Sequence, residues 1–288
     1  MKHLNLFIEL TRLKKPIGYM LLYWPFLWGL TLVYDFNNDI YTYTKYLVFF
    51  LLGSILMRSA GCIVNDIVDK KFDKKVERTK NRPIASGQVS TSLALVYTLV
   101  LCFFAFLVLI NFNLLTIILA LASMPLAFTY PLMKRFTYWP QLFLGITFNY
   151  GLILAWTSIN NDISITPILL YFGAIFWTLG YDTIYGYQDI KDDEIIGVKS
   201  TSIKFKNNTK NFLIICYSIF FALLILVGVL MQFSNIFYVT LTITFLHLFF
   251  YQIKFLNTKV PENCLKIFKS NNIIGLIIYF NILLGKFF

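Results

Sequence analysis

Charge is what this chain has least of. Only 14% of its 288 residues are Asp, Glu, Lys or Arg, where soluble domains carry about 25%. That supply cannot cover a water-facing surface of this size, so a soluble domain and a disordered chain are both excluded. Cysteine is scarce as well. Cys62, Cys102, Cys216 and Cys264 form no C-x-x-C pair and mostly sit in apolar runs, which excludes a zinc ribbon or disulfide framework and leaves packing residues. Two histidines, His3 and His247, are too few and too far apart for a metal centre. The first apolar run lacks a small-residue cleavage site, so it reads as a retained span and not as a removed signal peptide.

Apolar residues supply 58% of the chain, and they come in runs. A membrane span needs roughly 20 apolar residues. Nine segments qualify, at about 17–34, 45–64, 91–110, 113–130, 141–158, 164–182, 211–231, 235–254 and 272–288. The expected fold is an all-α polytopic membrane protein forming one domain over 1–288, with no linker to divide it.

Net charge is +11, yet nucleic acid is not the implied partner. Of the 25 Lys and Arg, 21 fall at the N-terminus or in the segments 65–90, 131–140, 183–210 and 255–271, and the alternate loops hold none. By the positive-inside rule the N-terminus and the charged loops are cytoplasmic, and an odd number of spans puts the C-terminus outside.

The acids are still more concentrated. Asp66, Asp69, Asp73 and Glu77, with Asp182, Asp189, Asp192, Asp193 and Glu194, make nine of 14 in two short windows. The first four recur every three or four residues, so on a helix they form one stripe with Asn65 beside it. Each window begins at the cytoplasmic end of an even-numbered span, which suggests a weak internal duplication. A like-charge stripe is unfavourable alone; it requires cations against it. Two facing carboxylate sets with Lys and Arg nearby suit Mg²⁺ and a polyphosphate. Apolar helices below them suit a hydrocarbon tail, so a lipid diphosphate fits both halves. Lys70, Arg78, Lys134 and Arg135 are candidate diphosphate clamps, and Tyr185, one turn before Asp189, is within reach of the same group. Arg58 lies inside the second span, where a cation is costly and points to a buried anion.

NDIVDKKFD, at 65–73, resembles the NDxxDxxxD motif of the UbiA family of membrane aromatic prenyltransferases, and QDIKDDEIIGVKST resembles its second Asp-rich motif. RLKKPIGYMLLYWPFLWGL (12–30), RTKNRPIASG (78–87) and YPLMKRFTYWPQ (130–141) resemble the branch that prenylates 4-hydroxybenzoate. The likeness covers essentially the whole chain. It implies nine helices bundled around a central cavity under cytoplasmic cap loops. It implies Mg²⁺-assisted ionisation of a polyprenyl diphosphate and attack on the ring carbon next to the hydroxyl of 4-hydroxybenzoate, in ubiquinone biosynthesis. Residue by residue, Asn65, Asp66, Asp69 and Asp73 match the first motif and Asp189 and Asp193 the second. Asp69, Asp73, Asp189 and Asp193 are the expected catalytic metal ligands; Asn65 and Asp66 are expected at the substrate. Prenylation of another acceptor, a naphthoate or haem, is the alternative within the family. A cation transporter is the alternative outside it, although transport places acids near the midplane and these lie at one face. No obligate protein partner is expected. The expected location is a bacterial inner membrane, with the mitochondrial inner membrane second.

Overall fold

The computed structural model describes residues 2–288, and no strand occurs among them. A short amphipathic helix, α1 (Lys2–Thr11), precedes α2 (Ile17–Val33) and the long α3 (Ile40–Asp73). Next come α4 (Thr91–Leu109), α5 (Leu114–Thr129) and, through a turn of 3₁₀-helix, α6 (Met133–Phe136). The helices α7 (Pro140–Asn149) and α8 (Gly151–Asn160) are nearly continuous. After α9 (Ile165–Gly186), two short helices, α10 (Ile190–Ile196) and α11 (Thr201–Lys204), lead to α12 (Thr209–Leu230). The chain ends with α13 (Asn235–Phe245), which runs into a π-helical stretch to Ile253, and with α14 (Pro261–Phe287).

Among the described residues, eight helical segments are long and apolar enough to cross a membrane, and α2 is a shorter apolar ninth. The expected spans are therefore present, with two corrections to their ends. First, α3 continues to Asp73, so the first acidic motif is helical and the loop expected from residue 65 begins only after it. Glu77 lies beyond that end, off the stripe, and pairs with Lys80. Second, α14 starts at Pro261, eleven residues before the apolar run; proline suits a first helical position because its missing N–H would be unbonded there anyway.

The centre is aromatic. Trp28 and Trp177 lie 5.1 Å apart between ring centroids, and Trp177 stacks on Phe220 at 5.9 Å. In lipid the apolar surface of a helix gains little by leaving its surroundings, so packing and hydrogen bonds must join the spans. The indole of Trp28 donates to the Gly275 carbonyl at 2.9 Å, and that of Trp24 to Asn272 at 2.9 Å. The absent side chain of Gly275 is what lets α2 and α14 approach: a Cβ there would lie 2.2 Å from the Trp24 ring. By contrast, α4 turns most of its apolar surface outward, with Leu99 and Phe103 more than half exposed, as suits a lipid-facing helix.

Candidate active site

Three carboxylates of α3 share one face because they sit at i, i+3 and i+7. Asp66, Asp69 and Asp73 are all buried, and each meets a cation brought from elsewhere. Arg12, after α1, reaches Asp66 at 2.6 Å. Arg82, in the turn region after α3, lies 3.1 Å from Asp66 and 2.9 Å from Asp73. Lys134, on α6, meets Asp69 at 2.5 Å. The other oxygen of Asp69, Oδ1, is buried with no partner.

The second acidic motif meets the first through its loop. Arg78 donates from Nε to Asp189 at 2.7 Å and from its terminal nitrogen to the other carboxylate oxygen. The Glu77 backbone N–H donates to Asp192 at 3.3 Å. The Asp189 hydrogen bonds hold the Arg78 guanidinium charged, pushing its proton affinity above the ordinary arginine range. The Asp193 carboxylate takes no hydrogen bond, and burial with the charge of Asp189 pushes it up to about 6. The duplication expected from the sequence is loose. The first motif lies within a helix, whereas the second lies at the break between α9 and α10, with Asp189 just before the new helix.

The other expected residues divide. Tyr185 joins the second motif, 5.9 Å below the Arg78 guanidinium and packed on Phe268. Asn65 is half-buried beside Asp66. Lys70 turns toward Thr91 at the start of α4, at 3.5 Å, and so is not brought to the acids. Arg135 is exposed, donates to the Val68 carbonyl at 2.7 Å and covers the Phe72 ring, fastening α6 to α3. Arg12 and Arg82 were not singled out by sequence reasoning. Both lie inside motif segments, RLKKPIG and RTKNRPIASG, and the need of a buried acid stripe for cations was the signal available.

A cavity of about 500 Å³ lies alongside α3, lined by residues of α2 to α5, α7 and α8. Its wall is mostly apolar, including Phe26, Phe50, Phe103 and Phe148, and Arg58 and Tyr130 are its main polar members. Arg58 is half-buried over the Phe148 ring at 5.4 Å, with its Nε buried and unpartnered. At 1.5 Å per residue, Asp69 stands about 16 Å farther along α3 than Arg58. Acids therefore crown one end of an apolar chamber with a single arginine in its wall.

The donor chemistry fits a hard divalent cation: carboxylate oxygens only, one of them unpartnered on Asp69 and a second carboxylate, Asp193, unpaired. Among the described residues no group of three or more His, Cys, Asp or Glu converges to hold a metal. Cations lie against several of these carboxylates: Lys134 against Asp69, Arg82 against Asp73 and Arg78 against Asp189. Mg²⁺ keeps waters and takes substrate phosphates readily, so one or two carboxylates suffice.

Comparison with known proteins gives a consistent picture. The model of the UbiA prenyltransferase family matches residues 22–276. A bovine (Bos taurus) protein named 4-hydroxybenzoate polyprenyltransferase, mitochondrial, is 44% identical over 97% of this chain and 75% of its own length. A 4-hydroxybenzoate octaprenyltransferase of Nitrosomonas eutropha is 40% identical over 96% of each chain. Among solved structures, the apo form of a UbiA homolog from Aeropyrum pernix K1 superposes with a TM-score of 0.75 at 23% identity, covering 94% of this chain and 98% of its own. A UbiA homolog from Archaeoglobus fulgidus bound to GPP and Mg²⁺ gives 0.69 at 15% identity, covering 96% and 99%. At these identities the two structures speak for the fold alone.

Proposed function

The chain belongs to the UbiA prenyltransferase family, and on that premise we propose that it transfers a polyprenyl group from a polyprenyl diphosphate to 4-hydroxybenzoate. The new bond forms at the ring carbon ortho to the hydroxyl and diphosphate leaves, a step of ubiquinone biosynthesis. The observation that carries this reading is identity of 40–44% along nearly the whole chain to enzymes named for that acceptor.

In this reading each part of the substrate pair has a place. The diphosphate lies under the cap, where Arg78 and Lys134 offset its charge, Arg82 and Arg12 hold the acid row in register, and Tyr185 flanks the second motif. The prenyl tail runs into the cavity beside α3, and the benzoate carboxylate meets Arg58. Mg²⁺ would be held by Asp69, Asp73, Asp189 and Asp193, with Asn65 and Asp66 close by, and would supply charge stabilisation at the departing diphosphate. The Archaeoglobus fulgidus homolog carries GPP with Mg²⁺, which supports the choice of a divalent metal. The apolar walls exclude water from the allylic cation, which would otherwise be hydrolysed. We place residues 1–288 in one domain of an integral membrane protein, in a bacterial plasma membrane, with the charged loops and N-terminus cytoplasmic. No protein partner is required by this scheme.

Acceptor choice is tested by offering the purified protein 4-hydroxybenzoate, a dihydroxynaphthoate and haem side by side, each with one polyprenyl diphosphate. Mass spectrometry should find the prenylated ring only with 4-hydroxybenzoate. Product from the naphthoate or haem alone would overturn the acceptor assignment while leaving the family intact.

A further inference from the structure

Gly18 is the second residue of α2, at the end of the KPIG segment that starts this helix. Alanine forms helices better than glycine does, so a glycine inside one needs a reason. Backbone freedom does not supply it, since among the described residues Gly87 and Gly197 are the glycines with left-handed φ. The reason is space. A Cβ at Gly18 would lie 2.8 Å from Nε of Arg58, 3.4 Å from its Nη2 and 3.6 Å from its Cζ. The three nearest atoms all belong to one guanidinium, which rests against the bare flank of α2.

This contact differs in kind from the close approaches at Gly29 and Gly275. There a Cβ would meet the Leu152 backbone carbonyl at 2.6 Å and the Trp24 ring at 2.2 Å, parts of the packed bundle that cannot step aside. At Gly18 it would meet the far end of a long side chain, which can. Little else fixes that end. Among the described residues Arg58 forms no ion pair, its Nε has no hydrogen-bond partner, and it lies over the Phe148 ring at 5.4 Å. Shape, more than hydrogen bonding, sets where this cation stands in the cavity wall.

We propose that Gly18 is a positioning residue for the aromatic acceptor, its missing side chain setting the place of the Arg58 guanidinium that receives the carboxylate. The inference rests on the reading given above, in which Arg58 meets the benzoate carboxylate. Carbon atoms pack against their neighbours at about 3.5 Å, so a methyl group at residue 18 would displace Nε by roughly 0.7 Å. Binding groups are held within about 0.5 Å of their productive geometry, so a shift of that size is felt. A carboxylate gripped by a planar fork is the ligand most sensitive to it. The diphosphate is not, because the acid row at Asp69 stands about 16 Å farther along α3.

The test is a double-mutant cycle of Gly18→Ala with Arg58→Ala in the full chain. The acceptors are 4-hydroxybenzoate and its neutral amide, 4-hydroxybenzamide. Loss of a hydrogen bond to a charged group weakens binding by roughly 10- to 100-fold, and Arg58→Ala should raise the KM for the acid on that scale. Gly18→Ala alone should raise it by about three- to tenfold, a displaced fork losing part of the same bond. Neither change should move the KM for polyprenyl diphosphate or for the amide by more than about twofold. With Arg58→Ala in place, Gly18→Ala should add nothing to the KM for the acid. It should then raise the thermal midpoint, because only its helix preference is left. An unchanged KM for the acid in Gly18→Ala, an equal effect on acid and amide, or an effect of the same size in both backgrounds would overturn the proposal. So would a lowered midpoint when Gly18→Ala is added to Arg58→Ala, a reading that needs no activity. Arg58→Ala that leaves the KM for the acid unchanged would remove the premise, the acceptor role of Arg58, and the proposal with it. Wild type that fails to prenylate 4-hydroxybenzoate at all would instead refute the acceptor reading itself.

Discussion

The guanidinium of Arg82 bridges Asp66 and Asp73, two carboxylates a pair of turns apart on α3, at 3.1 and 2.9 Å. Together with Arg12 on Asp66, it offsets the charge at both ends of a buried acid row that would otherwise repel itself. Removing one partner of a buried ion pair typically costs about 3–5 kcal/mol, because the other charge is left uncompensated. Arg82→Ala should lower the thermal midpoint in detergent accordingly, and Asp66→Asn added to it should recover part of the loss. A midpoint unchanged by Arg82→Ala would show that the pair is not holding the row.

Arg78 joins the two motifs by its fork on Asp189. It is partly exposed, so its part is expected in substrate binding more than in stability. A charged hydrogen bond contributes about 1.5–3 kcal/mol. Arg78→Ala should raise the KM for polyprenyl diphosphate about tenfold or more and leave that for the acceptor nearly unchanged. Equal effects on both substrates would count against the assignment.

At the opposite membrane face, Lys286 donates to the carbonyls of Thr31 and Leu32 at 3.1 and 3.0 Å and to that of Tyr34. These are the unbonded carbonyls at the end of α2, where a cation is favoured. Lys286→Met should destabilise the protein by about 1–2 kcal/mol and leave turnover per folded molecule intact. Loss of turnover without loss of stability would be the contrary result.

Gly275→Leu should be worse tolerated than any of these, since even a Cβ would meet the Trp24 ring at 2.2–2.5 Å. Overpacking costs about 1–3 kcal/mol or more. The half-time of thermal inactivation should fall, and the pair Gly275→Ala with Trp24→Leu should be milder than Gly275→Ala alone. Simple additivity in that double-mutant cycle would contradict direct contact.

Much of this was legible in the sequence, and the exceptions share a cause. Nine apolar runs and a one-sided distribution of Lys and Arg are local properties, and they gave the spans. The final turns of α3 were lost to a hydropathy reading because Asp66, Asp69 and Asp73 look like loop residues until Arg12, Arg82 and Lys134 arrive beside them. Arg12 is 54 residues from Asp66, and Lys134 is 65 from Asp69. The first turns of α14 were lost similarly: Asn271, the residue before the expected span, is polar by type but takes the indole proton of Trp177 inside the bundle. Lys70 shows the reverse error. Its neighbour Asp69 is in the site, but one step along a helix turns the side chain by about 100°, and Lys70 faces Thr91 instead.

The central claim is that the two acidic motifs form one Mg²⁺-dependent diphosphate site, and one measurement reads it directly. Initial rates of label transfer from radioactive 4-hydroxybenzoate into lipid-soluble product are compared for wild type, Asp69→Asn and Asp189→Asn, with Mg²⁺ and with EDTA. Wild type should be silenced by EDTA and restored by excess Mg²⁺. Each variant, while remaining monodisperse, should be at least about 100-fold slower, the scale expected when transition-state charge loses its stabilisation. EDTA-resistant turnover, or either variant within about threefold of wild type, would contradict the account.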